Sequence, residues 1–477
     1  MNQRIIANLG FLLQTAGLLT IIPIITGFIF NETAQLIPLF LTALAFLGGG
    51  FFLNALCERK DLTVKSASTL LFLAFIILPL IGAIPYLYLD PFASANGLDR
   101  FTNSCFESVS GFTTTGFSFI SNPEVLPRSV LVYRSLTEVM GGVGVVFLIL
   151  AFFQSRRALP RLGGVLGIEN LSRNLKRMFF MVLAIYGIYI LVFTGIFYLL
   201  GYTDFVATGT FVIDTLTGGF SPNTLTFQQY LSVAPQILIL LLMFLGAVNF
   251  SFNYNLLAGK FKKIFSPEIV LFICIMVTAS IVLFFVMDIG FFDSLFHVVS
   301  LASTQGIYYL NLATFSSNAV VLLVILMSVG GCAFSMAGGI KISRLLALGT
   351  SFGHLISMPF TKSDRQKETT KTEITEAFPA VMAILFFFAA LVVFALLLST
   401  MGISFGHALF EMGSALSTTG ATMGAVSVAM PLGYKWLIMV SMIIGKVEIV
   451  TVFAVLVPFF VKKIRRRVKF SGLSKSF

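Results

Sequence analysis

The sequence predicts an all-α polytopic membrane protein, with two extra N-terminal transmembrane helices followed by four pseudo-symmetric repeats. Three observations predict it: the composition, the placement of basic residues, and a Thr/Gly cluster that recurs four times. Hydrophobic residues make up 57% of the 477 and charged residues 11%, where a soluble domain carries about 25% charged. Mean hydropathy is +0.97. Apolar stretches of bilayer-crossing length, about 20 residues, are expected near 5–28, 35–56, 67–89, 129–153, 178–201, 231–257, 268–290, 316–340, 379–401 and 433–460. The first begins almost at Met1 without an A-x-A cleavage pattern and reads as a retained helix. Four Cys with no CxxC or CxxH spacing exclude a disulfide framework and a sequence-visible zinc site.

The net charge of +11 would suggest a nucleic-acid partner in a soluble protein. Here 26 of the 31 Lys and Arg fall in blocks at every second inter-span connection: Arg4, Arg59–Lys65, Arg156–Arg177, Lys260–Lys263, Lys341–Lys371 and Lys462–Lys475. Basic loops stay cytoplasmic, so the charge reads as topology, with both termini cytoplasmic in a multi-pass cell membrane protein. No block is interleaved with base-stacking aromatics, so no nucleic acid is expected. Residues 362–376 read as a solvated linker.

The remaining, outward connections each hold a short apolar stretch followed by a Thr/Ser/Gly cluster: FESVSGFTTTGFS (106–118), GTFVIDTLTGGFS (209–221), FHVVSLASTQGIY (296–308) and FEMGSALSTTGAT (410–422). Aligned on Gly116, Gly219, Gly306 and Gly420, every copy has Thr two positions earlier: Thr114, Thr217, Thr304 and Thr418. Phe106, Phe296 and Phe410 stand ten positions earlier, where the second copy has Gly209; Ser110, Ser300 and Ser414 stand six earlier, where it has Ile213. One such cluster signals only close helix packing. Four in register on one side of the membrane signal more, because non-helical backbone at membrane depth survives only when buried in protein or lining water. A half-helix dipping in from outside, then a Thr-Gly strand, presents carbonyl oxygens there, and Gly adopts the φ/ψ that turns them toward one axis. Four such segments around a central pore can replace a cation's hydration shell. Each repeat is thus span–pore helix–filter–span.

These repeats, with LPLIGAIPYLY (78–88), LPRSVLVYRSLTEVMGGVGVVFL (126–148), GGCAFSMAGGIKISR (330–344) and GKVEIVTV (445–452), resemble the TrkH/KtrB family of potassium transporters, in its TrkH branch, over essentially the whole chain. The resemblance implies a potassium-conducting homodimer regulated by a cytosolic TrkA-like nucleotide-binding partner. The only ligand is the transported K⁺, with no cofactor. It divides the chain into 1–66 (two leading helices), 67–177, 178–266, 267–376 (with an intramembrane gating loop and the linker) and 377–477 (with a basic tail).

The family's filter carries over onto Thr114, Thr115, Gly116, Thr217, Gly218, Gly219, Thr304, Gln305, Gly306, Thr418, Thr419 and Gly420. A glycine in every copy favours K⁺ over relatives with Ser in the first filter. The third copy departs at Gln305, whose amide either adds an oxygen to the filter or bonds neighbouring backbone. The gating loop carries over onto Gly330, Gly331, Cys332, Ala333, Phe334, Ser335, Met336, Ala337, Gly338 and Gly339, departing from the family's GGCAGSTGGG at Phe334, Met336 and Ala337. Fewer glycines and a bulky Phe suggest a stiffer constriction. Lys446 stands in the last span where the family usually has Arg facing the pore; it reads as an electrostatic barrier, or as the partner of a carboxylate. Glu448, two positions on, is off its helix face.

Glu107 and Glu411 occupy equivalent places, with His297 in the third copy. They suit cation attraction or, better, hydrogen bonding that anchors each pore helix, as does Asp214. Arg134 is expected to pair with one of them or with Glu138. Arg465, Arg466 and Arg467 are consecutive and so no voltage sensor; they suit lipid headgroups or a cytosolic partner. No phosphate-binding loop or DKTG-like segment is present, and His297, His354 and His407 form no catalytic cluster. The chain is therefore not expected to be an enzyme. The two transport readings are a channel-like K⁺ uptake subunit and a Na⁺- or H⁺-coupled symporter of the same architecture, or a Na⁺-permeable relative.

Overall fold

The computed structural model describes residues 3–57, 64–120, 122–152, 175–220, 232–357 and 364–447, and among them regular structure is entirely helical. In chain order the helices are α1 Gln3–Leu19, α2 Ile21–Ile29, α3 Thr33–Leu56, α4 Val64–Gly82, α5 Ile84–Leu89, α6 Gly97–Phe112, α7 Arg128–Phe152, α8 Leu175–Leu199 and α9 Phe205–Thr217. Then follow α10 Val233–Ala247, α11 Phe250–Leu257, α12 Pro267–Met287, α13 Phe291–Ala302, α14 Ser317–Val329, α15 Ile342–Ser357, α16 Asp364–Ser399, α17 Phe405–Leu416 and α18 Leu432–Val447.

Six stretches among the described residues are long and apolar enough to cross a membrane: Ile5–Ile29, Thr33–Leu56, Ser68–Leu89, Met181–Leu199, Pro267–Met287 and Phe378–Ser399. Their outer faces carry exposed aliphatic and aromatic side chains such as Leu44, Phe52, Phe285 and Leu396. A water-exposed surface would not tolerate so continuous an apolar belt, and a lipid-facing one requires it. The fold is a polytopic membrane protein.

Two expected spans are not continuous helices. The stretch at 231–257 breaks after Ala247, and α10 and α11 meet at 119°. The stretch at 316–340 stays helical only to Val329, and residues 330–341 are irregular. The linker expected at 362–376 is helical from Asp364 onward, as the N-terminal part of α16.

The helices α6, α9, α13 and α17 carry the four recurring clusters. With α9, α13 and α17 at 13, 12 and 12 residues, they rise roughly 20 Å or less, short of the ~30 Å hydrocarbon core. Side chains start three of them: Asn96 accepts from Asp99 N, Asp204 from Val206 N and Ala207 N, and Ser404 from His407 N. Each packs on the helix that leaves the preceding copy: α9 on α7, α13 on α10, α17 on α14, and α6 on α18. That last pair closes the chain's end onto its first copy. Phe106, Phe296 and Phe410 are fully buried. Phe106 stacks on Phe119 at 4.0 Å, and Phe296 meets Tyr309 at 5.0 Å, so two copies use the same aromatic contact to fix the short helix against the strand after it.

Candidate functional site

The Thr-Gly segments follow the C-termini of the four short helices and adjoin one another in sequence order. A Cβ built on Gly116 would meet the carbonyl oxygen of Gly219, and one on Gly218 would lie 3.0 Å from that of Thr304. One on Gly306 would meet the Thr419 carbonyl, and one on Gly420 the Thr115 carbonyl. First touches second, second third, third fourth, and fourth first. At the Gly116, Gly306 and Gly420 joints backbone sits directly against backbone with no room for a side chain, while Gly218 meets both the Thr304 carbonyl and the Gln305 amide.

In three copies the helix ends alike. Thr114, Thr304 and Thr418 have φ of 51°, 55° and 53°, and Gly116, Gly306 and Gly420 have φ of 85°, 68° and 79°. A β-branched residue rarely adopts positive φ, and such strain persists only where surrounding structure over-determines it. Here the N–H groups of Thr115, Gln305 and Thr419 donate to the carbonyls of Ser110, Ser300 and Ser414 at 2.9, 2.9 and 2.8 Å, wrapping the chain over the helix end. The second copy differs: α9 runs through Thr217, and Gly218 takes the left-handed turn at φ 81°.

Buried side chains hold the strand that follows. Glu107 accepts from Ser118 Oγ at 2.8 Å and Phe119 N at 3.1 Å. Glu411 accepts from Thr422 Oγ1 and Met423 N, each at 2.8 Å. His297 Nε2 accepts from Leu310 N at 3.3 Å. All three are fully buried, and these hydrogen bonds anchor the strand. Arg134 resolves its own pairing: it binds Glu107 at 2.8 Å, donates to Ser118 Oγ at 3.0 Å and lies 3.8 Å from the Phe220 ring centroid.

The irregular 330–341 segment lies on the helical side of this ring. Gly338 N donates to Thr304 Oγ1 at 2.7 Å, and a Cβ on Gly338 would meet the Ser417 carbonyl. The thioether of Met336 lies 2.5 Å from where a Cβ on Gly142 would sit. Its backbone is satisfied by the other broken helix. Cys332 N and Met336 N donate to the Ala247 and Gly246 carbonyls at 2.9 and 3.2 Å, and Phe250 N donates to the Phe334 carbonyl at 3.1 Å. Helix ends leave such groups unpartnered, and within lipid they need protein partners. Glu268, which no sequence pattern singles out, accepts from Ala333 N at 2.6 Å. Ser335 donates to the Cys332 carbonyl, and the Lys341 ammonium to that of Ala337.

Lys446 is buried and donates to Thr114 Oγ1 at 2.5 Å. It therefore reaches the first Thr-Gly segment directly. Glu448 and Arg465–Arg467 lie outside the described residues. The Gln305 amide is buried between Gly218 and Gly246, and neither its nitrogen nor its oxygen has a hydrogen-bond partner among the described residues. It thus does not bond neighbouring backbone.

The TrkH family model, a cation transport protein, matches residues 56–269 and 188–462, together most of the sequence. The chain belongs to the TrkH family. Relatives of this TrkH-family chain include an uncharacterised cation transporter of Methanocaldococcus jannaschii, 28% identical over 97% of both chains. The Trk system potassium uptake protein TrkH of Halomonas elongata is 26% identical, over 97% of this chain and 99% of its own. That of Escherichia coli K12 is 25% identical over 84% and 87%. The crystal structure of the potassium transporter TrkH from Vibrio parahaemolyticus superposes with a TM-score of 0.80 over 96% of this chain and all of that one, at 24% identity. The fold is shared over nearly the whole length.

Proposed function

We propose that this TrkH-family chain is a potassium uptake protein, the channel-like subunit that passes K⁺ through a filter built from its four Thr-Gly segments. The observation that carries the reading is the closed ring, in which Gly116, Gly218, Gly306 and Gly420 each abut backbone of the next segment. Such a ring lets carbonyl oxygens converge on one axis, and carbonyl rings substitute for the hydration shell of a monovalent cation. The potassium uptake proteins among its relatives point to K⁺ as the ion. In this reading 67–177, 178–266, 267–376 and 377–477 are the pore repeats behind the two leading helices of 1–66. Gly330–Gly339 is the gating loop, and Lys446 is a charge at the inner end of the filter. The basic blocks orient both termini to the cytoplasm of a cell membrane. A homodimer and a TrkA-like nucleotide-binding partner complete the assembly.

The test is flux of K⁺, Rb⁺ and Na⁺ in proteoliposomes, with and without an imposed Na⁺ gradient. We expect K⁺ and Rb⁺ to run down their own gradients, and Gly116→Ser to lower the K⁺/Na⁺ permeability ratio. Failure to pass any of these cations, with and without a cytosolic partner, overturns the reading. Uptake driven by the Na⁺ gradient alone replaces the channel with a symporter.

A further inference from the structure

We infer that Glu138 is the residue that positions the second filter segment, doing from a neighbouring repeat what Glu107, His297 and Glu411 do within theirs. The inference rests on the filter reading above and extends it to a residue outside the repeat it serves. In the first, third and fourth copies the anchoring side chain stands nine positions before the ring glycine and holds the strand beyond it. In the second copy that position is Thr210, whose hydroxyl donates to the Ala207 carbonyl of its own helix. It supplies no anchor for the strand.

The missing acceptor arrives from α7, the helix leaving the first copy. Glu138 is fully buried. One carboxylate oxygen accepts from Phe220 N at 2.5 Å, the other from Thr217 Oγ1 at 2.8 Å. The carboxylate thus spans Gly218 and Gly219, gripping the chain on both sides of the second ring position. A Cβ on Gly219 would collide with it, so the segment cannot slide past. This segment also lacks the Thr at positive φ that shapes the other three, and α9 runs two residues further toward its glycine than the other short helices. The second segment therefore depends on an external clamp.

The chemistry needed is hydrogen-bond acceptance at a fixed reach, and this sets three substitutions apart. In Glu138→Gln the amide oxygen still accepts from Phe220 N. Its NH₂ donates to Thr217 Oγ1, and the hydroxyl hydrogen that Glu138 accepted turns to the Ile213 carbonyl, 2.8 Å away. Glu138→Asp keeps the charge but withdraws it by one methylene. Glu138→Ala removes the acceptor. The full chain carrying each change, with Gly116→Ser and Gly420→Ser alongside, is reconstituted for Rb⁺ and Na⁺ flux, scored as the permeability ratio of folded protein. We expect Glu138→Gln to keep the wild-type ratio, and Glu138→Asp and Glu138→Ala to lower it at least about tenfold, as leaving the buried Phe220 N–H without its acceptor implies. A wild-type ratio in Glu138→Ala, while the glycine variants lower theirs, overturns the inference and leaves the filter reading standing. An equal loss in Glu138→Gln and Glu138→Ala shows that charge, and not the clamp, matters, and also overturns it. Unchanged ratios in the glycine variants sink the filter reading itself and the inference with it. Should Glu138→Ala not fold, Glu138→Asp decides: a retained ratio refutes the clamp.

Discussion

Lys446 is the single side chain on which the proposed pore reading can be tested most directly. A charge at membrane depth costs about 2.5–3.5 kcal/mol on insertion scales, and the ammonium recovers some of this by donating to Thr114 Oγ1 at 2.5 Å. Its charged neighbours are Lys341, which repels it, and Glu138. A unit positive charge a few ångströms from an ion path is worth several kcal/mol at an effective dielectric near 20. Lys446→Met should therefore raise Rb⁺ flux by about tenfold or more in proteoliposomes. Unchanged flux at equal expression would mean that the lysine only braces the Thr114 hydroxyl. Among the residues singled out from sequence, Glu107, Glu411 and His297 share one buried anchoring role. Spacing alone made them equivalent; the packed structure shows which backbone groups each one holds.

The two broken helices belong together as elements. Taken singly, the bend at Ala247 and the irregular run from Gly330 each expose peptide groups at membrane depth, where an unpartnered group costs several kcal/mol. Packed against each other they exchange three backbone hydrogen bonds, at Cys332, Met336 and Phe250, and Glu268 takes a fourth N–H, that of Ala333. A loop tied at both shoulders can still occlude a path, and its position against Thr304 and Ser417 suits that. Deletion of 333–337 should raise basal flux severalfold; lost flux in well-expressed protein would make the segment a packing device. Glu268→Gln keeps one acceptor for Ala333 N and should raise flux less than Glu268→Ala, with single-channel open probability as the check. The stretch from Asp364 looked like linker because it is polar, yet Arg, Gln, Lys and Glu are good helix formers. Its helix continues directly into the apolar part of α16.

For the whole molecule, ring closure is a matter of cyclic packing, each short helix resting on the helix that leaves the previous copy. The leading helices pack on α4, α5 and α7, and a polar clasp adds to that apolar contact. Glu32, between α2 and α3, accepts from Arg128 N at 2.7 Å and Ser129 N at 2.9 Å, so it caps α7 from a distant part of the chain. Arg128 in turn binds Asp204, the cap of α9, at 2.8 Å. Burial disfavours the Asp204 charge, but hydrogen bonds from Arg128 and the helix N–H groups outweigh it and hold its pKa below the usual carboxylate value. A lowered pKa means that this contact persists at neutral pH and weakens only as acidification passes the folded-state value. With both side chains more than 40% exposed, its own contribution is small. Glu32→Ala should cost about 1–3 kcal/mol, read as a lower thermal midpoint in detergent at pH 7. An unchanged midpoint would show that apolar packing alone docks the leading helices.

Composition and the alternation of basic blocks were enough to establish a multi-span membrane protein, because lipid tolerates only apolar outer surfaces and leaves Lys and Arg at the connections. Four Thr-Gly clusters in register were legible for the same reason: polar backbone at that depth has to be sheltered. Tertiary structure decided which segments touch which, that the second copy turns at Gly218 and not at its Thr, and that Glu138 serves a repeat other than its own. None of these is written in local spacing. Each depends on a side chain or carbonyl brought from more than twenty residues away, and only the packed chain determines which donor meets which acceptor.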